Sequence, residues 1–169
     1  MSDVIVNKVA ESGIVSLDLQ DFLPEESALA SIDLKDFLFM GLILKEKDFR
    51  TALQSMDWKV FEGKAVGLHN SADAIIPAWA YMLVAAYLQP VAGSVFMGDT
   101  DALRRHLLLG AINALPAEPY QDKRVVIKGC GDTTIPPEAY LGITLKLRPV
   151  AKSIMYGEPC STVPVFKKK

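Results

Sequence analysis

Residues 64–69 read KAVGLH, a short apolar run closed by a histidine, and runs of the same kind return along the rest of the chain. GSVFMG follows at 93–98, KRVVIKG at 123–129 and TVPVF at 162–166, with helix-like stretches between them. Short runs that hold β-branched residues and alternate with helical segments mark a largely parallel sheet covered by helices. The spacing predicts a βαβαβαβ succession, and the fold class is α/β.

Three helix starts can be placed from this frame. Asp73 or Ser71 can cap the first helix, with Pro77 tolerated in its first turn, where amides need no intrahelical partner. Asp99 or Thr100 can cap the second, whose Leu103, Leu107, Ala111 and Leu115 form an apolar stripe while Arg104, Arg105 and His106 look outward. Thr134 can cap the third, ahead of Pro136, Pro137 and Glu138. The first helix, within 74–88, has no polar face, so it is expected to be covered on more than one side, by this chain or by a second subunit of a homo-oligomer.

The first sixty residues follow a different pattern and form an irregular N-terminal segment of short elements. SLDLQDFL at 16–23 recurs as SIDLKDFL at 31–38, each readable as an alternating strand or as a short Asp-capped helix. PEESALA at 24–30 suits an exposed loop, and EKDFRTALQSM at 46–56 reads as a helix with Phe49, Leu53 and Met56 inward. No linker-like stretch interrupts the chain, so residues 1–169 are expected to form a single α/β domain.

The bulk numbers narrow the function classes. With 18 basic against 20 acidic residues the net charge is −2, and KKK at the end is the only basic run, so a nucleic-acid surface is not expected. AIIPAWAYMLVAAYLQP at 74–90 falls short of the ~20 apolar residues of a membrane span and contains Pro77, so it reads as a buried helix. MSDVIVNKVAESG lacks a basic stretch followed by an apolar core, so no secretory signal is expected and the cytoplasm is the expected compartment. There the two cysteines, Cys130 and Cys160, should remain reduced. Walker, GxGxxG, GxSxG and HExxH patterns are all missing, which removes the usual nucleotide, serine-hydrolase and metalloprotease readings.

Ligands of parallel α/β sheets gather at the carboxyl ends of the strands. That rule selects His69 to Asp73, Met97 to Asp99, and Gly129 to Asp132. Cys130 follows its strand directly between two glycines, where the backbone can turn sharply, and a helix N-terminus or the Lys128 amine nearby would favour its thiolate. Its alternative is a small packed residue at a strand end. His69 reads more readily as a half-buried loop histidine than as a ligand, and Asp73 more readily as a helix cap. In GEPCSTVPV at 157–165, Glu158 and Cys160 are held by Pro159. Carboxylate, thiolate and imidazole together suit zinc or iron. A straight helix over 136–156 would run about 30 Å and part the two cysteines. They can meet only if the chain breaks or turns at 148–150, where Pro149 allows a second short helix to begin, or if the second thiol comes from another subunit.

GLILKEKDFRTAL, SADAIIPAWAYML, KGCGD and AYLGITLKLRPVAKSIMYGEPCSTVPV together resemble the bacterial family catalogued as domain of unknown function 2480, from about residue 31 to the end. Asp73, Cys130, Glu158 and Cys160 lie inside the matching segments, and His69 matches less well. The resemblance implies a setting among iron–sulfur assembly genes, which would bring a metal or thiol role and a protein partner from that process.

Three readings stay open. One is a binder of a transition metal, or a protein of iron–sulfur or thiol metabolism, using Cys130 and Cys160 with Glu158, Asp73 and His69 assisting. Another is a thiol enzyme with Cys130 as nucleophile and Cys160 resolving it. The third is a non-catalytic scaffold that forms a homo-oligomer through the helix at 74–88.

Overall fold

A computed structural model describes residues 13–129, 131, 133–158 and 160–169. Cys130 and Asp132 therefore lie outside the described residues, as does nearly all of MSDVIVNKVAESG. The chain divides into two compact units, one made by the residues up to Leu23 together with Leu107–Lys169, the other by Pro24–His106. The expected succession of strands and helices is present, with the strands shared between two sheets. Among the described residues every pairing between these strands is parallel except the last, and an isolated antiparallel bridge joins Phe39 to Ile43.

In the first unit β1 (Ile14–Asp18), β5 (Arg124–Lys128), β6 (Ser153–Glu158) and β7 (Ser161–Lys167) lie in the order β1-β5-β6-β7, with β7 antiparallel to β6. In the second unit β2 (Leu29–Asp33), β3 (Ala65–His69) and β4 (Ser94–Met97) lie in that order, all parallel. The helices are α1 (Glu46–Ser55), α2 (Ala78–Leu88), α3 (Thr100–Ala114) and α4 (Pro137–Leu147). Among the described residues no helix is long and apolar enough to cross a membrane.

The repeated SLDLQDFL and SIDLKDFL resolve an ambiguity by being both of the things each suggested. Each is a strand that ends in an aspartate, and that aspartate caps a 3-10 turn, Leu19–Phe22 or Leu34–Phe37. The Asp18 and Asp33 carboxylates accept from the backbone N–H of Gln20 and Lys35, both at 3.0 Å. The cap satisfies an amide that the turn would otherwise orphan, and it aims Leu19 and Leu34 into the cores.

This pair is one part of a longer internal repeat. IPAWAY at 76–81 returns as IPPEAY at 135–140, and PVA at 90–92 returns at 149–151, both 59 residues on, whereas the SLDLQDFL pair lies 15 residues apart. The backbone follows the sequence. Val91 and Val150 each donate to a leucine at the end of the preceding helix, Leu88 and Leu147, at 3.0 Å. Phe49 and Leu53 of α1 fill the second core, as Leu108 and Ile112 of α3 fill the first.

Several expectations need correction. Neither Ser71 nor Asp73 caps α2, and Thr134 does not cap α4; the N-cap residues are Pro77 and Pro136, with no side-chain cap bond. Their rings fix φ near −67° and −68° in an extended conformation from which the helix starts. Asp99 does act at the start of α3, where it accepts from the Ala102 amide at 2.8 Å. The buried stripe of α3 runs through Leu103, Leu108 and Ile112, not Leu107 and Ala111.

The larger correction concerns residues 148–156. The helix stops at Leu147 and Pro149 prevents its continuation, but no second helix follows. Residues 153–158 form β6, parallel to β5, a strand the sequence reading missed. PEESALA contains a short 3-10 turn, Glu26–Ala28, exposed as expected, and Leu29 already belongs to β2. On α2 the buried stripe is Ala80, Val84 and Leu88, while Trp79 packs edge-on against Phe49 and Tyr87 stacks on Trp58 at 4.9 Å.

Candidate functional site

Because β5 and β6 are parallel, their carboxyl ends lie side by side, and the last residue of each carries a charge. Lys128 Nζ stands 3.1 Å from Glu158 Oε2. The hydrogen bond and negative charge of Glu158, with the charges of Asp18 and Asp21 adding, hold the Lys128 amine above its ordinary value. The amine that could have faced a thiol is thus turned to a carboxylate. Cys160 lies just beyond, exposed and free of any disulfide, in the turn joining β6 to β7. Near the end of β6, Gly157 has φ 118°, and a Cβ there would come within 2.6 Å of the Ser161 carbonyl oxygen.

The loop after β5 is shaped by what its glycines allow. A side chain at Gly129 would collide with the Tyr140 hydroxyl, and one at Gly131 with the Gln20 amide. Gln20 Nε2 also donates to the Thr133 carbonyl at 3.4 Å. Beside this edge is an apolar hollow of about 460 Å³, lined by Ile127, Tyr140, Leu141, Thr144, Tyr156 and Val165. The Tyr140 and Tyr156 rings meet edge-on at 5.5 Å.

The second unit builds its corresponding edge from different chemistry. His69 ends β3 and is half-buried, and Asp33 ends the neighbouring strand β2. Ser71 donates twice to Asp33, from its hydroxyl at 2.5 Å and from its amide at 3.0 Å. Burial pushes the Asp33 carboxyl up, but the bonds from the Ser71 hydroxyl and from the Lys35 and Ser71 amides outweigh it, so the group lies below the usual range. Asn70 closes the loop on itself, donating to the carbonyls of Ala72 and Ala74 at 3.1 and 3.0 Å. Asp73 is exposed.

Of the proposed metal ligands, Glu158 and Cys160 therefore share one turn of the first unit, and His69 and Asp73 share one loop of the second. Among the described residues there is no group of three or more His, Cys, Asp or Glu side chains placed to hold a metal ion. In the internal repeat the position of Ser71 corresponds to that of Cys130. The sequence reading missed the Lys128–Glu158 pair and the strand-ending aspartates Asp18 and Asp33. The repeated DL-DF pattern was the available signal for the aspartates; the ion pair had none, because it needs the unrecognised strand β6.

A family model described as a protein of unknown function (DUF2480) matches residues 3–168. No match was found among curated proteins or among solved structures.

Proposed function

The chain belongs to the DUF2480 family of proteins of unknown function, and we propose that the carboxyl edge of the first unit's sheet is a two-thiol site, in which Cys130 and Cys160 bind a transition metal. The observation that carries this reading is the 3.1 Å pair between Lys128 and Glu158. Each of these residues lies two positions ahead of a cysteine, and the pair supports the reading by joining the strand ends that precede the two thiols. Thiolates are soft donors and select zinc or iron over magnesium and calcium. Glu158 becomes an additional ligand only if it leaves Lys128. His69 and Asp73 stand on the other unit and are not required. The reading needs a compartment that keeps thiols reduced, which the cytoplasm provides.

Metal content of the full-length protein purified without oxygen, set against Cys130→Ser and Cys160→Ser, tests the proposal. Metal in the parent protein and its loss from both variants supports it, and a metal-free parent protein sinks it.

The same ion pair favours a second reading, a thiol enzyme in which Cys130 is the nucleophile and Cys160 resolves the product on Cys130 as a disulfide. A metal-free protein whose two cysteines join under a mild two-electron oxidant, as mapped by peptide mass spectrometry, would select it.

A further inference from the structure

The two units finish their sheets differently. In the first, β7 runs antiparallel along the outer side of β6; in the second, β4 is the outermost strand. Val95 and Ile154 hold matching places on these strands, opposite Val66 and Val125. Ile154 is wholly buried because Phe166 of β7 lies across from it and packs on the same core. Among the described residues Val95 has no such neighbour, and it is 38% exposed, with Met97 at 61% and Met82 of α2 at 70%. A groove of about 250 Å³ opens there, between α2 and β4, floored by Leu68 and walled by Tyr81, Met82, Val95 and Met97.

We propose that β4 pairs with β4 of a second copy of this chain, antiparallel about a two-fold axis at Phe96, so that two three-stranded sheets become one of six strands. The first unit supplies the template, since it has this same edge covered by an antiparallel strand. The choice of a second copy rests on charge and symmetry. SVFM of β4 and AWAYMLVAAYL of α2 carry no ionisable acid or base other than tyrosine, so self-apposition brings no like charges together. Unprotected strand edges are usually blunted by proline or lysine. β7 has Pro164 and ends in Lys167, whereas β4 has neither.

The register is self-complementary. Residues directly opposite in an antiparallel pair lie on the same face, so Val95 meets the partner's Met97 and Met97 the partner's Val95, both on the α2 side. Phe96 points the other way and is stacked on the His106 ring at 4.3 Å, which steadies the strand at the axis.

Sedimentation of the full-length protein over a dilution series tests the pairing. The parent chain should dimerise. Val95→Lys and Met97→Glu should each raise the dimer dissociation constant by about a hundredfold or more, because each leaves a buried unpaired charge. The double variant should dimerise again, since it sets an ammonium opposite a carboxylate at both symmetric positions. Met82→Lys, on the exposed side of α2, should weaken the dimer without touching the strand, and thermal melting followed by circular dichroism checks the folding of each variant. A parent chain that stays monomeric overturns the proposal, as does a dimer that survives Met97→Glu. A monomer that instead binds a synthetic STVPVFK peptide would also overturn it, showing that the edge takes a strand from elsewhere.

Discussion

Gly63 and Asp122 hold one backbone geometry at matching places in the two units. Both have positive φ, 69° and 55°, and each donates its amide at 2.9 Å to the carbonyl of a valine, Val91 or Val150. The next residue, Lys64 or Lys123, then accepts from Gly93 or Lys152 at 2.8 Å. A left-handed residue at the entrance to the central strand is thus what ties that strand to the loop leaving the following helix.

A Cβ at Gly63 meets nothing within 4 Å, so Gly63→Ala should carry a torsional cost and no clash. The expected loss is ~1 kcal/mol, and Gly63→Asn should lose less, as Asn and Asp tolerate this region. Urea denaturation should show a lower midpoint with an unchanged slope.

Gly129 is a different case, because its missing side chain leaves room for the Tyr140 hydroxyl. Gly129→Ala should destabilise the protein by ~1–3 kcal/mol, the usual cost of overpacking. Adding Tyr140→Phe removes the nearest atom and should recover part of that loss, again read from urea denaturation. No recovery would show that the loop is limited by its backbone instead.

The Asp33 carboxyl titrates below its ordinary value because donors from Ser71 and Lys35 outweigh the effect of burial. A depressed folded-state value means that the carboxylate stabilises the fold above the unfolded-state value, and that this contribution disappears as pH falls through the folded-state value. Ser71→Ala removes the hydroxyl donor. The Asp33 carboxyl carbon should then titrate closer to the usual range by NMR, and acid unfolding should begin at higher pH.

Phe49 is buried between Phe37, at 5.2 Å, and Trp79, at 6.0 Å. Phe49→Ala should cost ~3–5 kcal/mol and alter tryptophan fluorescence. Phe39 is about half exposed, at 47%, with Lys45 over its ring at 3.3 Å, and Phe39→Ala should cost ~1 kcal/mol or less. Thermal melts of the two variants should differ accordingly.

What the sequence disclosed followed periodicity. The strands at 65–69, 94–97 and 124–128 each hold an unbroken apolar stretch, AVGL, VFM or VVI, and α1 shows its buried Phe49 and Leu53 one turn apart. SIMYGE has a single β-branched residue and follows Pro149 closely, so its strand depends on pairing with β5, which no local pattern reports. The caps misled for a similar reason: Ser71 is a good cap residue by type, but it donates to Asp33 of another strand. The two IP-AY segments are a further repeat, less apparent than the DL-DF pair because only four of their six residues are shared. Of the candidate site, the cysteines, Glu158 and the break at Pro149 were legible, whereas Lys128 meeting Glu158 became visible only with β6 in place.

The route of the chain sets an order for biosynthesis. All strands and helices of the stretch from Pro24 to His106 are neighbours in sequence, so a nascent polypeptide can assemble them as they emerge. β1 is made earlier than any of them, but among the described residues its one strand partner is β5, in a register that runs from Ile14 with Arg124 to Asp18 with Lys128. Its edge must therefore stay unpaired until the intervening unit has been synthesised, a long-range closure of the kind that slows folding. β1, made before the intervening unit, thus enters its sheet only after that unit is complete.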